Sequence, residues 1–174
     1  WGLAVRAFAQ PAPAADCASR IVSVDHAQAE LRPDGLPAIQ AEVTLAHRWD
    51  LAYPGRGGSV TYHAQLQTPC VPDQPMALMI AKVGNQAAVR VNGALVAQLG
   101  ELGNPTYDAA KAAQLVVVPA TLLRRDGLNE LSIDATLQRQ RAGGLSMILY
   151  GPQAAMNAVA LDQFRWRFVG PLVI

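Results

Sequence analysis

The sequence is poor in aromatic residues, in charge and in cysteine. Phe, Trp and Tyr make up 6% of the 174 residues and charged residues 16%, so a core must be assembled from Val, Leu, Ile and Ala. The formal net charge is +1. The basic residues, all Arg except Lys82 and Lys111, are scattered, with Arg124-Arg125 and Arg139-Gln140-Arg141 the densest groups. Nucleic-acid binding needs a clustered basic face or run, and nothing in this scatter suggests one, so no nucleic-acid partner is expected. No stretch approaches the roughly 20 apolar residues of a membrane-spanning helix. Gly-x-Ser-x-Gly, His-Glu-x-x-His, P-loop and dinucleotide Gly fingerprints are missing. His26, His47 and His63 are too dispersed for a local zinc motif, so neither a metal nor a cofactor is expected. Cys17 and Cys70 are the only cysteines, which leaves no Cys-x-x-Cys spacing.

What is present is a succession of strand signals. The length predicts one domain, long enough to bury roughly two-thirds of its unfolded surface. Short runs of Val, Ile and Thr alternate with polar residues and are separated by Gly, Pro, Asn and Asp, the pattern of an all-β sandwich. Residues 20–25 begin it, and Ala27, Ala29 and Leu31 continue an alternation. A turn follows at Pro33-Asp34-Gly35. Residues 41–45 place Val43 and Leu45 inward, with Glu42 and Thr44 outward. Val60, Tyr62, Ala64 and Leu66 share one face of the next strand. Met76–Ile80 is wholly apolar. Asn92-Gly93 joins two runs spanning 87–99 and suits a type I′ hairpin turn, because both residues accept positive φ. Asp108 is expected to cap a helix of one or two turns reaching Gln114. Leu115–Val118 reads as a buried strand, 128–135 as an alternating one and 145–150 as the last good strand. Strands without intervening long helices imply an antiparallel arrangement. The expected fold is therefore an antiparallel β-sandwich of the jelly-roll type with one or two short helices.

The two ends differ in composition. Ala7-Phe8-Ala9 has the small-x-small pattern of a signal-peptidase site, and Gln10–Ala15 the Pro/Ala character of an extended leader. Residues 1–18 are thus expected to be a leader remnant of an exported protein, and 19–152 the jelly roll. In an oxidising compartment Cys17 and Cys70 are expected to pair, which stabilises by about 4 kcal/mol in the chain-entropy model; the alternative is two free thiols in the cytosol. Phe168–Ile174 is apolar or small and follows Arg165-Trp166-Arg167. It reads either as a final core strand or as the first turns of a further helix.

Four fragments, in order, resemble the galactose-binding-like jelly roll. Val43-Thr44-Leu45-Ala46-His47-Arg48-Trp49 is similar to that family's v-x-L-P-x-x-W stretch. Gly58-Ser59-Val60-Thr61-Tyr62-His63 is similar to its G-x-x-x-Y-R strand. Ala88–Gly93 resembles its hairpin, and Leu122–Leu131 its l-L-x-x-G-x-N-x-l turn. The match extends over residues 40–152. Ala46 stands where the family has Pro and His63 where it has Arg, so no role of that Arg carries over. The motif residues have architectural uses: Gly127 accommodates a turn, Asn129 can bond turn backbone, and Trp49 and Tyr62 suit wall and core. This resemblance covers the sugar-binding accessory domains of β-galactosidases and β-glucuronidases, and also periplasmic modules of bacterial membrane-anchored sensors.

Sugars are held by aromatic faces together with Arg, Asn and Asp hydrogen bonds, and jelly rolls present loops and a concave face for both. The candidate ligand-binding residues are His47, Arg48, Trp49, Tyr53, Tyr107, Arg139 and Arg141. The alternative is that Trp49 is core, Arg139 and Arg141 are solvated, and Tyr107 covers the short helix. Thirteen carboxylates leave two-carboxylate hydrolysis open, although in enzymes of this resemblance the catalytic pair lies in a separate domain. With the two ends, the resemblance implies a periplasmic ligand-sensing or docking domain of a histidine kinase or diguanylate cyclase type protein. It would not itself be an enzyme. Residues 153–174 would then lead to a membrane helix, the chain's only connection with the membrane. Its partner would be a small molecule, a carbohydrate, a periplasmic protein or a second copy. The rivals are a carbohydrate-binding accessory module of a secreted glycosidase and a structural interaction domain.

Overall fold

The computed structural model describes residues 20–68, 74–124 and 127–168, the last six by backbone alone. Cys17, Cys70 and the expected leader lie outside the described residues. The chain folds into two antiparallel sheets packed face to face. One has six strands in the order β3 (Ile39–Thr44), β2 (His26–Pro33), β5 (Gly58–Gln67), β10 (Leu128–Leu137), β7 (Gln86–Val91) and β8 (Ala94–Leu99). The other has four, in the order β1 (Val22–Val24), β12 (Ile148–Pro152), β6 (Met76–Ile80) and β9 (Gln114–Val118). A short pair, β4 (His47–Arg48) with β11 (Gly144–Leu145), accompanies them. The expected all-β antiparallel sandwich is what forms.

Period-two alternation sets the register of the six-stranded sheet. Val60, Tyr62 and Leu66 of β5 face the core beside Leu131, Ile133 and Ala135 of β10. A slip of one residue would turn this whole set to solvent. In the stretch expected to alternate from residue 20 through 31, the phase breaks. Val24 and Ala27 are both buried, with Asp25 and His26 exposed between them. Two consecutive outward residues reverse the phase, and the chain leaves one sheet for the other: β1 pairs with β12 and β2 with β3 and β5. The final expected strand is also divided, into β11 and β12. The expected helix at 108–114 is instead a pair of 3-10 turns, Pro105–Tyr107 and Ala109–Lys111, with Asp108 capping the second through the Ala110 N–H. In β9 only Val116 and Val118 are buried, while Leu115 and Val117 face outward.

β6 is wholly apolar because both its faces are covered. Met76, Leu78 and Ile80 enter the sandwich core. Ala77 and Met79 point outward and are covered by Met156 of helix α2 (Gln153–Phe168), the one-turn helix α1 being Trp49–Ala52. Residues 153–174, which the sequence reads as a connector toward a membrane helix, contain this helix. Its N-terminal half docks through Met156, Val159 and Ala160, the i, i+3, i+4 spacing of one helical face. No described helix is long and apolar enough to cross a membrane.

The hairpin at Asn92-Gly93 forms as expected, with φ of 50° and 82°. Its side chain does more than permit the turn. Asn92 Nδ2 donates to the Leu122 carbonyl (2.7 Å) and to Asn129 Oδ1 (2.8 Å), and its own Oδ1 accepts from the Glu130 N–H. Asn129 Oδ1 also accepts from the Arg124 N–H (2.7 Å), and its Nδ2 donates to Thr68 Oγ1 (3.0 Å). Thr68 in turn shares a hydrogen bond with the Tyr150 hydroxyl. This network closes one end of the sandwich and ties the two sheets together.

Candidate functional site

The opposite end of the sandwich carries the loops. Strand register places Pro33, Gly58, Gln86 and Leu137 at that end. The segment 138–143 is the hub of the loops that gather there. The Trp49 N–H donates to the Gly143 carbonyl (3.0 Å). The Gln138 N–H donates to Asn85 Oδ1 (2.7 Å), and the Arg141 guanidinium donates to the Asp108 carboxylate. Gly57 fits because it lacks a Cβ, which would stand 3.2 Å from the Arg139 nitrogen and 2.8 Å from an Asp34 carboxylate oxygen.

Between these loops lies a cleft of about 250 Å³ lined by Asn85, Glu101, Gly103, Asn104, Asp108, Gln138 and Arg141. Its floor is preorganised. The Asp108 side chain is 6% exposed; it accepts from Arg141, from Asn85 Nδ2 (3.2 and 3.3 Å) and from the Ala110 N–H. Gly100 allows the two walls to approach, since a Cβ there would lie 2.2 Å from the Asn85 carbonyl. Asn104 donates to one Glu101 carboxylate oxygen (3.0 Å). The second Glu101 oxygen, the Gln138 amide and the remaining Arg141 N–H groups have no partner among the described residues. The cleft therefore offers acceptors and donors together, on planar groups held by an internal network.

The seven residues predicted to bind ligand are distributed unevenly around this end. Arg141 lines the cleft. Tyr107 is 66% exposed on the same loop as Asn104 and Asp108, forming part of a 3-10 turn rather than covering a helix. Arg139 is exposed on the hub segment. Arg48 pairs with Asp50 at 2.6 Å, and this hydrogen bond holds the Asp50 carboxyl below the usual carboxylate range. Trp49 is 1% exposed; its indole N–H donates to the Arg56 carbonyl, and its ring lies against Gly58, where a Cβ would come within 2.7 Å. It is core and offers no face to a ligand. Tyr53 packs on Trp49 with ring centroids 4.6 Å apart. His47 is half-buried, joined to the Tyr62 hydroxyl at 2.8 Å. Burial pushes its imidazole pKa down and the Tyr62 phenol up. The peptide preceding Ala46 is cis.

Asn85, Glu101, Asn104 and Gln138 lie outside the set that the sequence predicts to bind, and Asp108 reads from sequence only as a cap. Their residue types are common in capping and turn positions, so local sequence does not separate a cleft wall from an ordinary loop.

A second concavity, of about 710 Å³, crosses the solvent face of β3, β2, β5 and β10. It is shallow and includes His26, Gln28, Glu42, His63, Gln65 and Glu130. His63 already faces Glu130 at 3.5 Å, and His26 faces Asp25 at 2.9 Å. No Phe, Trp or Tyr is among its described lining residues.

No protein-family model matches the chain, and no curated protein matches it. Solved structures do. An FMN-binding β-glucuronidase from Facaelibacterium prausnitzii L2-6 superposes over 78% of this chain with a TM-score of 0.59 at 17% identity. A GH2 β-galacturonidase from Eisenbergiella tayi bound to galacturonate covers 78% with a TM-score of 0.59 at 14% identity. A β-glucuronidase from Ruminococcus gnavus in complex with D-glucuronic acid covers 82% with a TM-score of 0.58 at 10% identity. This chain spans 23%, 25% and 31% of those chains respectively. The shared feature is the fold, a β-sandwich consistent with the galactose-binding-like type and set within much longer glycosidases.

Proposed function

We propose that this chain is a non-catalytic β-sandwich module that binds one carbohydrate unit at its loop-end cleft, in the manner of an accessory module of a glycosidase. The observation that carries this reading is the cleft itself. Each sugar hydroxyl both donates and accepts, and the cleft presents carboxylate, amide and guanidinium groups within one small volume. At about 250 Å³ it falls below the roughly 300–1,000 Å³ of pockets for drug-sized ligands, a size for a single ring. The occurrence of this fold inside glycosidases supports the setting. The non-catalytic part of this reading is supported by the carboxylates of the cleft. Two-carboxylate hydrolysis needs an acid and a second carboxylate free to act. Asp108 is committed to Arg141, Asn85 and Ala110, which leaves Glu101 alone.

The test is thermal unfolding with a panel of monosaccharides. A ligand at ten times its Kd stabilises by about 1.4 kcal/mol, and that raises Tm by roughly 3–6 °C in a domain of this size. Gln138→Ala and Tyr107→Ala are expected to reduce the shift. If no sugar moves Tm, or the shift survives both substitutions, the cleft is not a carbohydrate site.

One observation favours a second reading, the periplasmic sensor or docking domain of a membrane-anchored signalling protein. The hub segment 138–143 continues through β11 and β12 directly into α2, so a change at the cleft has a short covalent path to that helix. The coding sequence beyond Ile174 separates the two: a membrane helix supports the sensor, a catalytic domain the glycosidase module.

A further inference from the structure

Resting on the carbohydrate reading of the loop-end cleft, we propose that this site selects neutral and amino sugars and rejects uronates. The charged side chains in the lining are Glu101, Asp108 and Arg141. Arg141 and Asp108 neutralise each other, and Asp108 sits beneath, saturated by its other donors. Glu101 has no such counterion in the lining. Its bonded oxygen accepts from a neutral amide, Asn104 Nδ2, and its other oxygen has no partner among the described residues. Arg139 and Lys111 are not among the lining residues. A ring seated in the cleft therefore meets one uncompensated negative charge.

The consequence is a ranking by charge. A ligand carboxylate a few ångströms from Glu101 is repelled, and although Arg141 keeps further N–H groups, its charge is already offset by Asp108, so the lining stays net negative toward the ligand. A ligand ammonium is attracted. With the effective dielectric of a partly exposed site, one charge step corresponds to about five- to tenfold in affinity.

The experiment titrates the protein with galactose, galactosamine and galacturonate, and with the matching glucose series, following backbone amide resonances of the cleft by NMR. Each series keeps the ring and changes only the charge. The expected order is amino sugar, then neutral sugar, then uronate, with at least about tenfold between the ends. Glu101→Gln is expected to keep an acceptor for Asn104 and to draw the three affinities together, and raised salt to do the same in the wild-type protein. Uronate binding as tight as the neutral sugar overturns this selectivity while leaving the carbohydrate site in place. A ranking that Glu101→Gln does not narrow also overturns it. If none of the sugars perturbs the cleft resonances, the carbohydrate reading itself falls, and the selectivity with it.

Discussion

Replacing Asn129 by Ala removes the hub of the network that closes the end of the sandwich opposite the cleft. The side chain is 1% exposed and makes three hydrogen bonds, at 2.7, 2.8 and 3.0 Å. Their partners are not left equal. The Arg124 N–H loses its acceptor outright, and a half-buried orphan donor costs about 1–3 kcal/mol. The Asn92 amide keeps the Leu122 carbonyl and Thr68 keeps the Tyr150 hydroxyl, so each loses only the net value of one bond, about 0.5–1.5 kcal/mol. The sum is about 2–6 kcal/mol of stability, and at roughly 2–4 °C per kcal/mol a loss near the middle of that range lowers Tm by about 8–16 °C. Urea denaturation measures it directly. A double-mutant cycle with Asn92→Ala isolates the pair and is expected to show coupling of about 1 kcal/mol or more. A destabilisation below about 1 kcal/mol, or strict additivity with Asn92→Ala, would refute the reasoning.

Gly144 and Gly93 should respond very differently to Ala. At Gly144 a Cβ would lie 2.0 Å from the His47 carbonyl oxygen, so Gly144→Ala is expected to separate β11 from β4 and to cost more than about 3 kcal/mol. At Gly93 nothing lies within 4 Å, and only the positive φ opposes a side chain, costing about 1–2 kcal/mol; equal Tm losses would contradict the packing argument. His47, whose pKa burial lowers, favours the folded state when neutral. Its contribution is complete above its ordinary value of 6.5 and is lost as pH falls below that toward the folded pKa. His47→Gln should flatten unfolding free energy between pH 7.5 and 5, and an unchanged pH profile would count against the assignment. Met156→Ala should cost about 2–3 kcal/mol, at the lower end for a buried Met. Hydrogen exchange should show α2 losing protection before the sheets, and uniform loss across the domain would mean that the helix is not a separate layer.

Where side chains alternate and a hairpin turn demands positive φ, the sandwich is written in local sequence. The alternation of Val60, Tyr62 and Leu66, the inward Leu131, Ile133 and Ala135, and the Asn92-Gly93 turn all follow from a period of two and from backbone sterics, which neighbours in the chain control. The phase reversal between Val24 and Ala27 departs from the alternation that the sequence suggests, because the change of sheet needs a second sheet to receive the strand. Other features have no local cause. Helix α2 carries only Met156, Val159 and Ala160 as a docking face, too few to declare a helix against the sheet, and the wholly apolar β6 looks the same whether its outward side is covered or bare. Asn85, Glu101, Asp108, Gln138 and Arg141 stand up to 56 positions apart, and each alone is an ordinary polar loop residue. Hydrophobic burial is a property of a strand's own pattern, but a cleft is a property of loops that meet, and which loops meet depends on the order and register of the strands beneath them.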